Sequence, residues 1–388
     1  MTSGLPPETE AGTAIRGMFE GLRLAAELPE GQSRVQFRAT VESVPDSLLG
    51  RELVLAIGTS TVMGLPLPAA APAAPLQFGP TYLSMEELKG LASYDVTLRL
   101  ADDEERFPVP REITDGPLFE AIGIQEEAEF LAKVQLHHSR FRNRDLVYLG
   151  AKATYLRLNG PLLQAAALTV LAHRYLERDL LGLSPVDRRM MRWIDGEARK
   201  VTSVLAAELD AITGATPPFP LVRWTVSLAT VGGMLALCRD ELPTARQFFA
   251  IAARQMPHVR VSAVSGLNLV NACFIAGLLA AVAGDQEEAR ELLRTGVTSY
   301  PQIAAAQNMM ANVWVIGDLI DVAHSARQCF IALVWLGLAP ESREPVVDAL
   351  TTLEPKLVKS KLAAIIASGF APRLAAAFAE IAQNRKVP

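Results

Sequence analysis

The spacing of apolar residues follows different periods in the two ends of the chain. Between Arg34 and Glu42 the apolar Val35, Phe37, Ala39 and Val41 alternate with the polar Arg34, Gln36, Arg38, Thr40 and Glu42. Strict alternation predicts a half-buried strand. Just before it, Ile15, Met18, Phe19 and Leu22 fall at helical spacing and predict a short amphipathic helix over 13–28. ELVLAIG (52–58) is a short apolar run, the mark of a buried strand. Residues 64–80 hold Pro66, Pro68, Pro72, Pro75 and Pro80, a density that excludes a helix or a central strand and predicts a loop or extended linker. Ser84, followed three residues later by Glu87, predicts a capping box at the start of a brief helix. DVTLRL (95–100) alternates again, ADDEE turns the chain, and RFPVP returns as an edge strand.

From Pro117 onward the period is helical. Helix candidates occupy 118–138, 146–158, 162–181 and 186–212, with Gly, Pro, Asn and Asp marking breaks at 143–145, 159–161 and 182–185. ATPPFP (215–220) is the clearest break. The expected class is α+β, mainly α: an arm at 1–32, a small β-containing domain at 33–115, a helical bundle at 116–214 and a helical repeat region at 215–388. Strands are expected only within 33–112.

Two segments of the last region align with each other. Gly233 matches Gly277, Ala245 matches Ala289, Phe249 matches Leu293, Ala252 matches Gly296 and Pro257 matches Pro301, each pair 44 residues apart. Gly277, Gly284-Asp285, Glu288-Ala289, Leu293, Gly296 and Pro301 resemble the signature of a tetratricopeptide repeat. The resemblance covers 229–301. In this pattern the glycines let two antiparallel helices approach, Gly284-Asp285 turns the chain, Ala289 sits where a larger side chain would clash, and Pro301 stops the second helix. The family's period is about 34 residues, so each unit here carries extra residues, mostly between Pro257 and Cys273. Residues 310–337 are expected to be a degenerate repeat and 371–384 a capping helix.

The resemblance implies that the first helix of each pair lines a concave face. That face would carry Asn271, Phe274, Ile275, Leu278 and Val282 in one unit, and Val231, Met234, Leu237 and Cys238 in the other. These residues are mostly apolar, so either another part of this chain or an apolar partner fills the groove, and self-filling is the favoured expectation.

Composition narrows the function. Half of the 388 residues are hydrophobic, a fifth are charged, and the net charge is −5. This balance argues against a dedicated nucleic-acid binder. Cys238, Cys273 and Cys329 lie in or beside apolar runs without a CxxC pair and are expected to be buried, reduced thiols of a cytoplasmic protein. No secretory leader is expected at the N-terminus. Residues 261–283 carry no charge and reach spanning length, but Ser262, Ser265, Asn268 and Asn271 favour a buried helix over a membrane span.

Candidate chemistry is sparse. His137-His138 with Glu126, Glu127 and Glu129 lacks chelating spacing, because adjacent helical side chains point about 100° apart, and no metal or cofactor is expected. AIGTSTVMG (56–64) offers hydroxyls after a strand but neither a nucleophile-elbow nor a phosphate-loop motif. Arg140, Arg142 and Arg144 around Phe141 form a basic run suited to a phosphate, to an acidic partner surface or to a solvated helix end. Arg188, Arg189 and Arg192 form a second cluster, with Asp187 and Asp195 near enough to pair. The expected function is a non-enzymatic interaction or scaffold protein that docks another protein or peptide. Its candidate contact residues are Met234, Asn271, Phe274, Leu278, Arg140, Arg142 and Arg144. Two alternatives stand beside it: a transferase or hydrolase with its site in 33–150, related to bacterial polysaccharide or secretion machinery, and a membrane-associated assembly factor. No catalytic residue is named.

Overall fold

The computed structural model describes residues 10–29, 32–131, 144–176, 184–261 and 265–303, together with 326, 328–330, 332–333 and 338. The architecture is α+β, mainly α, with strands near the N-terminus and helices after them. The chain forms two compact units, residues 1–159 and 160–388. The helices expected in one bundle at 116–214 are thereby shared between the two units.

The first unit begins with helix α1 (Glu10–Met18) and contains strands β1 (Leu22–Glu27), β2 (Arg34–Val41), β3 (Glu52–Ile57), β4 (Ser60–Pro66) and β5 (Leu76–Ser84). Helix α2 (Met85–Gly90) follows, then β6 (Val96–Leu100), β7 (Phe107–Pro108), β8 (Thr114–Asp115), and helices α3 (Pro117–Ile122) and α4 (Arg144–Arg157). One sheet has the order β5-β2-β1-β8 and the other β4-β3-β6-β7. In β2 the alternating Val35, Phe37, Ala39 and Val41 are all buried, and β3 is buried along nearly its whole length.

The helix expected over 13–28 is shorter than its spacing suggests. It ends at Met18, a single 3-10 turn follows, and residues 22–27 become β1. Leu22, Leu24 and Ala26 point to the core while Arg23 and Glu27 face out, so the period there is two. β1 pairs with β2 from Leu22↔Val41 to Glu27↔Gln36, and that ladder overrides the helical reading of the local sequence. With β8 it carries strands beyond the expected limits of 33 and 112. The proline-rich linker is also shorter than expected, because Pro66 closes β4 and Pro80 lies within β5. Both are edge strands, where a missing N–H costs no ladder bond.

The capping box forms as the spacing requires. Ser84 Oγ accepts from the Glu87 N–H at 3.1 Å, and the Glu87 carboxylate accepts from the Ser84 N–H at 2.7 Å. These bonds, from the Ser84 side chain first, hold Glu87 below the usual carboxylate range. The first helix candidate breaks at Gly123, after α3; helix resumes over 127–131, and the rest of that candidate lies outside the described residues.

The second unit contains α5 (Pro161–Leu176), α6 (Pro185–Ala211), α7 (Phe219–Cys238), α8 (Leu242–Ala253), α9 (Gly266–Val282) and α10 (Gln286–Thr298). Each helix packs on its successor; α7 also packs on α5. The α7–α8 and α9–α10 hairpins share their details position by position at the 44-residue spacing. Asp240 (φ 59°) and Gly284 (φ 87°) hold the left-handed turn conformation. The next residue donates its N–H back into the preceding helix, Glu241 to Ala236 O at 3.0 Å and Asp285 to Ala280 O at 2.9 Å. Ala245 and Ala289 are both completely buried. A Cβ on Gly233 would lie 2.6 Å from the Phe249 ring, and one on Gly277 would lie 2.6 Å from Leu293. In each hairpin a large side chain of the second helix thus fills a notch left by a glycine of the first.

The segment 261–283 contributes α9, which begins only at Gly266. Among the described residues one helix, α7, is long and apolar enough to cross a membrane, and 72% of its apolar window is buried inside the fold. The expected capping helix at 371–384 and most of 310–337 lie outside the described residues. The cysteines are free: Cys273 and Cys329 are buried, whereas Cys238 is only half-buried, contrary to the expectation that all three are covered. Burial pushes the Cys238 thiol up to about 11 and Cys273 up to about 12. In the native protein at neutral pH, a thiol reagent should label Cys238 slowly and the other two only after unfolding. Rapid labelling of all three would contradict this packing.

Candidate functional site

The apolar centre of the α9 face that the repeat resemblance assigns to a partner is already covered, while its edges are half-buried. Phe274 is 1% exposed and Leu278 is 2% exposed, while Met234 and Asn271 are half-buried. α8 and α10 pack against α9. Cys329 reaches it as well: its Sγ donates to Val270 O at 3.9 Å, and a Cβ on Gly296 would meet that sulfur at 2.5 Å. An apolar stripe of this kind is buried because exposure to water is unfavourable. Phe274 and Leu278 therefore belong to the core and present nothing to a partner, which corrects their assignment as contact residues. Arg140 and Arg142 lie outside the described residues. Arg144 opens α4, and its side chain lies outside the described residues.

Charged side chains stitch successive hairpins together. Arg199 on α6 pairs with Asp195 on its own helix and with Glu241 at the α7–α8 turn, both at 2.8 Å. Arg239 lies 3.0 Å from Glu241 and 2.7 Å from Asp195 Oδ1, the latter an ion-pair distance outside hydrogen-bond geometry. The hydrogen bond from Arg239 is the largest cause holding Glu241 below the usual carboxylate range. At the next turn Arg246 on α8 pairs with Asp285 at 2.7 Å and with Glu288. Glu241 and Asp285 occupy the same position of their hairpins, 44 residues apart, and each receives an arginine from the hairpin before it. Asp195 is thus engaged by Arg199 and Arg239, whereas the sequence set it beside the cluster Arg188, Arg189 and Arg192.

The first unit holds a buried cationic cluster that the sequence did not single out. Lys152 on α4 is 3% exposed and donates to Lys89 O at 2.5 Å and Leu91 O at 2.7 Å. Its ammonium also lies 5.6 Å from the centre of the Tyr94 ring. The Tyr94 hydroxyl donates to Leu88 O at 2.7 Å. Lys89 in turn pairs with Asp145 at 3.0 Å and lies over the Tyr148 ring. The carbonyls freed at the end of α2 are therefore capped by two side chains from outside the helix. The available signal was a lysine set among Gly150, Ala151 and Ala153, in a stretch otherwise apolar enough to be buried.

Burial lowers the Lys152 pKa from 10.5 to about 8. A neutral buried lysine is a nucleophile in other settings, but here its bonds go to main-chain carbonyls and its side chain is enclosed. The arrangement does the work of a helix cap. Its pH signature has a definite sign. Between pH 8 and 10.5 the unfolded chain holds more protons at this residue than the folded one, so this contribution raises stability with pH. Below pH 8 both states are protonated and the slope vanishes. Urea unfolding of the wild type and Lys152→Met should show the wild type gaining on the variant across this window; a constant difference would contradict the shift.

The hydroxyls of 56–64 line a β-hairpin. Gly58 (φ 56°) donates its N–H to Asp95 O at 2.8 Å, and its carbonyl accepts from Arg106 Nη1 at 2.7 Å. Ser60 and Thr61 continue directly into β4, so the turn forms no anion-binding loop. His137 and His138 lie outside the described residues. Among the described residues no three His, Cys, Asp or Glu side chains gather around a point that could hold a metal ion. In comparisons with family models, curated proteins and solved structures, the chain has no significant match.

Proposed function

We propose that this chain is a cytoplasmic, non-enzymatic interaction or scaffold protein, and that α5–α10 form a tetratricopeptide-like stack on which another protein docks. The observation that carries the reading is the agreement of the α7–α8 and α9–α10 hairpins in turn conformation, buried alanine and glycine notch at a constant 44-residue spacing. Helical hairpins stacked in this way expose long, rigid surfaces suited to binding. The core residues Phe274 and Leu278 support the stack, and the half-buried Met234 and Asn271 remain the candidate contacts along its first helices. In an extract of the native host, the chain should elute in a complex larger than its 41.8 kDa, while the purified chain elutes as a monomer. Elution at the monomer position in both would sink the proposal.

A further inference from the structure

We draw no further inference here: the strongest candidate, the surface patch in the first turns of α7 where the half-buried Arg223 guanidinium lies against the Phe219 and Trp224 rings, carries nothing because nothing in the structure shows what covers it.

Discussion

Replacing Ala289 with leucine should destabilise the protein by about 1–3 kcal/mol. Ala289 is completely buried near the start of α10, and its own carbonyl lies 3.4 Å from the position a Cβ on Gly277 would take. The helices are this close because a glycine and an alanine face each other, so three added carbons must displace a main chain. Ala289→Gly should cost about 1 kcal/mol through helix propensity alone. The same substitution at Ala245, the equivalent buried position of the preceding hairpin, should behave alike. Glu287, exposed two residues earlier, is the proper control and should tolerate alanine with little change. Glu288 is not such a control, because Arg246 pairs with it. Denaturant unfolding that found Ala289→Leu as stable as the wild type would mean that the two helices do not meet there.

Asp195→Ala should cost about 3 kcal/mol, the low end for breaking a buried ion pair. The Asp195 side chain is 11% exposed and that of Arg239 is 15% exposed, so neither is well solvated. Removing the carboxylate leaves Arg239 with Glu241 alone and releases Arg199 from one of its two acids. The expected loss exceeds that of Glu241→Ala, because Glu241 is 40% exposed and water replaces part of its interaction. Unfolding in urea would rank the two. A loss at Asp195 no larger than that of a surface pair, about 0.5 kcal/mol, would show that the network does not join the hairpins.

Much of the fold was legible because the deciding interactions are local. The alternation in 34–42, the Ser84–Glu87 cap and the turn at Gly284-Asp285 each depend on residues a few positions apart. β1 was hidden because Ile15, Met18, Phe19 and Leu22 satisfy a helical period, while Leu22, Leu24 and Ala26 satisfy a period of two; the choice between them was made by β2, a distant partner. The candidate site was less legible for the same reason. Phe274 and Leu278 have the same composition whether they line a groove or a core, and only packing decides. Lys152 gave little sign of its role because its acceptors, Lys89 O and Leu91 O, are some sixty residues away in sequence. Asp195 was adjacent to the right charges, yet its partners Arg199 and Arg239 come from its own helix and from the end of α7.

The most direct test of the docking account is site-specific photo-crosslinking in the native host. A photoreactive amino acid would replace Met234 or Asn271, one at a time, in the full chain, with Glu104 on an exposed turn of the first unit as the control. The account predicts a discrete adduct with one other protein from both helical positions and none from Glu104. No adduct from either helical position, or the same adducts from Glu104 as from Met234 and Asn271, would contradict it.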